Sequence, residues 1–144
     1  MLENTLVMIK PDHYEFADEI ILQLDFNAIR TNLGRVSSIP REVIREHYLP
    51  LKGEPFYEYM TEYFVGKPTV IAVYTGNNII NKMREMIGNT DPIKAGKDTI
   101  RGKYSEDSLQ LATLEKRPLK NVIHASESLE EALREIKVWE RFLK

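Results

Sequence analysis

The stretch Thr69-Val70-Ile71-Ala72-Val73-Tyr74 is the clearest strand in the sequence. It is rich in β-branched residues, and the turn-forming residues Gly66-Lys67-Pro68 directly precede it. Side chains of this kind fit the pleated surface of a sheet, whereas Gly and Pro mark its ends. The segment therefore predicts a sheet at the centre of the fold.

Further strands and helices are predicted on both sides of this segment. Short apolar runs bounded by turn residues predict three more strands, at residues 5–9, 29–39 and 121–124. Apolar residues at helical spacing, and Pro near helix starts, predict helices at residues 16–26, 40–48, 55–64 and 77–87. Asn77 or Asn78 is expected to cap the last of these, and Gly88 to end it.

A final helix is predicted to begin at Ser128, because Ser128-Leu129-Glu130-Glu131 has the form of a capping box. Between it and Gly88, residues 89–120 show no clear periodicity and are expected to be mostly loop. A loop of that length in a compact domain is usually functional or mobile.

The order of these elements indicates an α+β fold. It is typical of a four-stranded antiparallel sheet with helices on one face, and the specific prediction is the ferredoxin-like split βαβ sandwich. No repeat, low-complexity segment or linker divides the chain. We therefore expect residues 1–144 to form a single domain.

The composition excludes several function classes. The chain carries 20 basic and 22 acidic residues, so its net charge of −2 gives no general attraction to nucleic acid or anionic membrane. It has no Cys, and therefore no disulfide or thiolate chemistry. The first residues lack the basic start of a signal peptide, and no apolar run approaches the ~20 residues that span a bilayer. We expect a cytoplasmic protein without membrane or nucleic-acid partners.

His124 is the first candidate for chemistry. A single His in a short apolar strand is more often a packed core residue than a catalyst, and that alternative stays open. However, His124 lies where a strand leads into a helix start, and backbone amides point at anions in such places. A neutral imidazole there can attack phosphorus.

Phosphoryl transfer also needs cations and hydrogen-bond donors around the transferred oxygens. The candidates are Lys10 at a strand end, Arg84 on a helix, Thr90, and Arg101 in Thr99-Ile100-Arg101-Gly102. Each of them also has an ordinary surface or turn interpretation. Neither a P-loop motif nor the Gly-rich dinucleotide motif occurs, so any nucleotide must be held by a different design.

Over nearly its whole length the chain resembles the nucleoside diphosphate kinase family. The most specific segment is Asn121-Val122-Ile123-His124-Ala125-Ser126, which matches the catalytic motif of that family. The other matching segments, in order, are Thr5-Leu6-Val7-Met8-Ile9-Lys10-Pro11-Asp12, His47-Tyr48, Lys52-Gly53-Glu54-Pro55-Phe56-Tyr57, Arg84, Ile87-Gly88-Asn89-Thr90-Asp91-Pro92, Thr99-Ile100-Arg101-Gly102 and Glu135-Ile136.

The resemblance implies a ping-pong transfer of the γ-phosphoryl group from a nucleoside triphosphate to a nucleoside diphosphate through a phosphohistidine at His124. It implies that Glu135 and Ser126 orient the imidazole and that Tyr57 stacks on the base. It implies Mg²⁺ as cofactor, without a direct protein ligand, and a homo-oligomer, either a tetramer or a hexamer. The implied ribose and phosphate contacts are Lys10, Asn121, Tyr48, Arg84, Thr90 and Arg101.

The chain departs from the family pattern at three places. Residues 13–17 appear shortened, Ala125 replaces a Gly, and residues 102–120 form a segment about ten residues longer than usual. We expect this segment to be a mobile flap near the nucleotide, with Leu109, Leu111 and Leu114 docking as a short helix. A surface insertion or a subunit contact is the alternative. For the whole chain, the alternative function is an inactive nucleotide- or RNA-sensing module, and His13 and His47 receive no role.

Overall fold

The computed structural model describes residues 1–144, and a four-stranded antiparallel sheet lies at its centre. The strands are β1 (Leu2–Ile9), β2 (Ile29–Val36), β3 (Thr69–Asn77) and β4 (Ile123–Ala125), in the spatial order β2-β3-β1-β4. Along the central pair, Leu2 faces Asn77 and Ile9 faces Val70. The predicted antiparallel α+β fold is confirmed.

Seven α-helices surround the sheet, and four short 3₁₀ turns connect elements of the fold. The helices are α1 (Ala17–Asn27), α2 (Arg41–His47), α3 (Tyr57–Phe64), α4 (Ile79–Ile87), α5 (Ile100–Tyr104), α6 (Leu109–Leu114) and α7 (Leu129–Trp139). None of them is both long enough and apolar enough to cross a bilayer.

The helices cover both faces of the sheet, so the prediction of helices on one face is wrong. Val7 and Ile9 of β1 pack with α1 and α4, whereas Leu6 and Met8 pack with α2, α3 and α7. The physical reason is that β1 and β3 are continuous apolar runs rather than alternating ones. Such strands are apolar on both faces, and each face must be kept from water.

The segment predicted to be mostly loop contains α5, which is not expected from the sequence, and α6, which forms where a short helix with Leu109, Leu111 and Leu114 is expected. Each begins at a hydroxyl cap: Thr99 Oγ1 accepts from Gly102 N, and Ser108 Oγ accepts from Leu111 N, both at 3.1 Å. With five residues, α5 is too short to show helical periodicity. The side-chain cap predicted for α4 does not form. Asn78 stands at the N-cap position with φ +58°, but its side chain makes no capping hydrogen bond to the helix.

The start of α7 confirms one half of the predicted capping box. Ser128 Oγ accepts from Glu131 N at 3.1 Å. The Glu131 carboxylate does not reach back to the cap, because it pairs with Arg134 at 2.9 Å. The stabilisation of this helix start therefore lies in the Ser128 hydroxyl.

Replacing Ser128 by Ala should lower the free energy of unfolding by about 1 kcal/mol, since an N-cap acceptor is lost. Ser128→Asp, which keeps an acceptor at the same place, should remain close to the wild type. Urea unfolding at neutral pH measures both variants. Equal destabilisation of the two would show that the cap contributes nothing.

Candidate active site

A cavity of about 430 Å³ lies between the α2–α3 region and the segment that carries α6. Most of the predicted site residues meet there, although they come from six separate parts of the chain. Those that line it are Lys10, Tyr48, Arg84, Thr90, Arg101, Asn121, His124 and Glu135. These residues have no characteristic spacing in the sequence, so it is the fold that brings them together.

His124 lies on β4 opposite Met8, and its imidazole is held from behind. His124 Nε2 is 2.9 Å from Glu135 Oε1, and the same oxygen accepts from Ser126 Oγ at 2.7 Å. Ser126 is fully buried and does not line the cavity; its Oγ also accepts from Leu6 N at 3.1 Å, which ties it to β1. Because Nε2 is engaged, Nδ1 is the ring nitrogen without a partner.

Glu135 is ionised in this arrangement. Its burial opposes ionisation, but the charge of His124 and the hydrogen bond from it lower the pKa of Glu135 to about 2. A carboxylate can only accept, so His124 Nε2 must carry the proton. When the imidazole is neutral, its lone pair therefore lies on Nδ1, as a nucleophile requires.

Arg101 supports the backbone on both sides of Val122. Its guanidinium donates to the carbonyls of Asn121 at 3.2 Å, Ile123 at 2.7 Å and Gly88 at 2.9 Å. Val122 has φ +77°, and Ile123 N donates to Asn121 O at 2.9 Å, so the chain makes a γ-turn. A β-branched residue in this conformation is strained, and the guanidinium holds the turn closed.

Five cationic side chains and three carboxylates line the cavity, which gives it a local positive charge despite the overall charge of −2. Lys10, Arg84 and Arg101 all line it. Burial lowers the pKa of Lys10 to about 8 and that of Arg101 to about 10, because charge is costly away from water. An anionic ligand would relieve this cost, so the site suits phosphate groups.

Asn121 also presents an unused acceptor. Its amide nitrogen donates to Thr90 O at 2.9 Å, whereas its Oδ1 is buried without a partner. Buried polar atoms are almost always paired, so the unpartnered acceptor of this cavity-lining residue is an exception.

Tyr57 does not lie in the cavity, and its predicted role as stacking platform is wrong. The side chain is buried and its hydroxyl donates to Arg45 O at 2.9 Å. The preceding residue, Phe56, lines the cavity instead and is only half-buried. The two aromatics are adjacent in sequence, and the start of α3 turns one inward and the other toward the cavity.

His47 also lines the cavity, although no role is predicted for it from the sequence. It is buried, and its ring centroid lies 4.6 Å from that of His124. Trp139 Nε1 donates to His47 Nδ1 at 2.9 Å, which leaves Nε2 protonated and unpartnered. The only hint in the sequence was its place beside Tyr48. His13, by contrast, lies outside the cavity and pairs with Asp12 at 2.5 Å.

Ligand atoms of His47, His124 and Glu135 lie within 4.8 Å of one another, as metal ligands do. The hydrogen bond from Trp139 argues against a metal there. It requires a lone pair on His47 Nδ1, so the proton occupies Nε2 and no lone pair is left for an ion.

The inserted segment reaches the cavity, but not as predicted. Leu111 and Leu114 are 44% and 72% exposed, so the expected leucine stripe does not dock. Ala112 is buried in their place and lines the cavity. Arg117 is paired with Asp107 at 2.7 Å, so its charge is already neutralised within the segment.

Comparison with known proteins gives a consistent result. The family model for nucleoside diphosphate kinase matches residues 3–142. The nucleoside diphosphate kinase of Staphylococcus epidermidis is 34% identical over 140 residues, covering 96% of this chain and 87% of the relative. That of Pelotomaculum thermopropionicum is 37% identical over 137 residues, covering 94% and 85%.

Solved structures agree. The nucleoside-diphosphate kinase of Borrelia burgdorferi, a transition state mimic with bound vanadate and ADP, superposes with a TM-score of 0.89 at 25% identity, covering 96% of this chain and 86% of that one. An NDP kinase from Pyrobaculum aerophilum gives a TM-score of 0.84 at 29% identity, and each chain is covered completely.

His47 should make the protein sensitive to acid. Burial, followed by the charge of His124, lowers the pKa of His47 well below its ordinary 6.5. The unfolded chain therefore takes up this proton first, and the free energy of unfolding should fall as the pH drops below about 6.5, by up to about 1.4 kcal/mol per pH unit.

The matched variant is His47→Asn, whose side-chain oxygen can accept from Trp139 in place of Nδ1. It has no proton to take up, so the slope of its unfolding free energy between about pH 6.5 and 5.5 should be smaller. Denaturant unfolding at a series of pH values measures the difference. Identical slopes would contradict a neutral, buried His47.

Proposed function

The chain belongs to the nucleoside diphosphate kinase family, and we propose that it transfers the γ-phosphoryl group by a ping-pong mechanism through a phosphohistidine at His124. It is an enzyme of this class, a phosphotransferase acting on nucleotides. The observation that carries the mechanism is the pairing of His124 Nε2 with Glu135, which leaves Nδ1 free in a cavity lined by cations.

In the first half-reaction, His124 Nδ1 attacks the γ-phosphorus of the triphosphate. The bond from that phosphorus to the β–γ bridging oxygen breaks, and the diphosphate leaves with the electron pair. Glu135 accepts the Nε2 proton in a hydrogen bond and stabilises the positive charge that develops on the ring. In the second half-reaction, a terminal oxygen of another diphosphate attacks the same phosphorus and releases His124.

The residues that stabilise charge on the transferring group are already in position before the nucleotide binds. Lys10, Arg84 and Arg101 supply the cations. Burial raises the pKa of Tyr48, so its phenol stays protonated and can donate to a phosphate oxygen. Thr90 lines the same cavity.

The sugar and the base are held by neighbouring groups. Asn121 Oδ1, buried and unpartnered, suits a ribose hydroxyl, and Lys10 lines the same cavity. Phe56 offers the aromatic face on which a base can stack. A stacking face grips every base without reading its edge, so the enzyme should accept purines and pyrimidines alike.

Mg²⁺ is the proposed cofactor, since phosphoryl transfer needs the β and γ oxygens neutralised. The cavity presents the cations Lys10, Arg84 and Arg101, whereas the Glu135 carboxylate is committed to His124 and Ser126 and that of Glu131 to Arg134. These residues fit an ion that is held by the phosphates and water rather than by protein ligands.

Residues 1–144 form one catalytic domain in this proposal, and the enzyme works in the cytoplasm. The sensing module is the less favoured alternative, because a module without chemistry has no need for the Ser126–Glu135–His124 chain of hydrogen bonds.

His124→Ala should abolish labelling of the protein by γ-labelled ATP and transfer of the label to a second diphosphate. The wild type should retain an acid-labile label on histidine. His13→Ala serves as control, because His13 lies outside the cavity, and it should be labelled like the wild type. Label on histidine in the His124 variant would refute the assignment.

The enzyme is also proposed to be a homo-oligomer, a tetramer or a hexamer. Phe26 at the end of α1 is 81% exposed, Ile29 at the start of edge strand β2 is 70% exposed, and Leu22 lies nearby on α1. An apolar patch beside a strand edge is typical of a surface that a second copy covers.

Light scattering should give a mass several times that of one chain, and Phe26→Asp should reduce it by placing a charge in the interface. Leu133→Asp, at an exposed leucine of α7, is the control and should leave the mass unchanged. A wild-type protein with the mass of one chain at working concentration would rule the oligomer out.

A further inference from the structure

Arg134 of α7 lines the cavity but takes no part in the mechanism. Its guanidinium makes four hydrogen bonds within the protein, two to backbone carbonyls and two to the Glu131 carboxylate. Glu131 also neutralises its charge, at a distance of 2.9 Å. A guanidinium has only five N–H donors, so Arg134 uses its capacity inside the protein rather than offering it to a phosphate.

The two backbone carbonyls belong to the last residues of α2. Arg134 Nη1 donates to Glu46 O and Arg134 Nη2 donates to His47 O, both at 2.8 Å. The last carbonyls of a helix have no partner inside it, and a cation beside them suits the negative end of the helix dipole. Arg134 therefore closes the C-terminal end of α2 from a position on another helix.

The other two carbonyls at this end of α2 are satisfied without α7. Ile44 O accepts from Tyr48 N at 3.1 Å, and Arg45 O accepts from the Tyr57 hydroxyl at 2.9 Å. Arg134 is thus the only side chain of α7 that donates to the backbone of α2.

The residues next to this link are catalytic in the proposed mechanism. Tyr48, whose phenol donates to a phosphate oxygen, directly follows His47 in the chain. Glu135, which holds the imidazole of His124, directly follows Arg134. The ring centroids of Tyr48 and His124 lie 6.2 Å apart. Their separation therefore depends on how the end of α2 is held against α7.

We propose that Arg134 is a positioning residue: it clamps the end of α2 to α7 and thereby keeps the phenol of Tyr48 in register with the imidazole of His124. The inference rests on the proposed function, in which Tyr48 donates to the phosphoryl group that His124 attacks. A displacement of about 1 Å would weaken that donation, and misplacement on this scale can lower a rate about a hundredfold.

The first test is a double-mutant cycle with Tyr48. Arg134→Met removes the donors but keeps an unbranched side chain, and the bond from Trp139 to His47 still joins the two helices. It should lower kcat for transfer from ATP about tenfold or more, with a smaller effect on KM. In a Tyr48→Phe background the same substitution should lower kcat about threefold at most, because the group that it positions is already absent. Equal losses in the two backgrounds would overturn the inference.

Arg141→Met is the matched control. Arg141 also reaches α2 from the C-terminal part of the chain, but it donates to the exposed carboxylate of Glu42, at 3.4 Å. This variant should keep the wild-type kcat. A loss as large as that of Arg134→Met would show that the backbone clamp is not special, and would count against the inference.

Arg134→Lys separates position from charge, and it carries the test if Arg134→Met does not fold. An ammonium keeps the charge but lacks the planar fork that spans two carbonyls, so kcat should recover only in small part. Full recovery would assign Arg134 an electrostatic role and overturn the clamp.

The clamp also has a readout that needs no activity. In nuclear magnetic resonance spectra, the Overhauser effect between the rings of Tyr48 and His124 should weaken in both Arg134 variants and persist in Arg141→Met. An undiminished effect in the Arg134 variants would overturn the inference. A wild type that transfers no phosphoryl group would instead overturn the proposed function, whereas the ring contact would still decide whether Arg134 holds the two helices together.

Discussion

The pairing of β1 with β3 is the constraint on which the rest of the molecule depends. Both strands are apolar along their inner lengths, so the sheet that they form cannot expose either face to water. Helices must cover both sides, and the chain must cross from one face to the other to supply them. The site lies where β1 ends and β4 pairs with it, so the most buried part of the fold determines the positions of Lys10 and His124.

The predictable part of the structure is the part with long, regular patterns. The strand at residues 69–74 and the cap at Ser128 could be predicted because local chemistry decides them. The two covered faces could have been inferred from the unbroken apolar run of β1. Helix α5 could not, because five residues do not establish a period, whereas the leucines of α6 did indicate a short helix.

The site follows the same rule. His124 and the cations can be identified from sequence motifs. Which of the adjacent aromatics Phe56 and Tyr57 faces the cavity depends on the orientation of the first turn of α3, and no spacing rule specifies that orientation. His47 was missed for a different reason: its importance comes from a hydrogen bond to Trp139, 92 residues away, and from contact with His124. Interactions between distant residues are visible only once the chain has folded.

In the proposed mechanism, Arg101 serves two purposes with a single side chain. A guanidinium has five N–H donors in a fixed plane, and here three backbone carbonyls around the turn at Val122 accept hydrogen bonds from them. Lysine would preserve the charge, but its ammonium cannot span those carbonyls and also reach a phosphate. Even Arg101→Lys, the most conservative substitution, should therefore disturb the site. A loss of catalysis in such a variant could not be separated from a loss of order in the backbone. For protein engineering, Arg101 has to be treated as part of the scaffold.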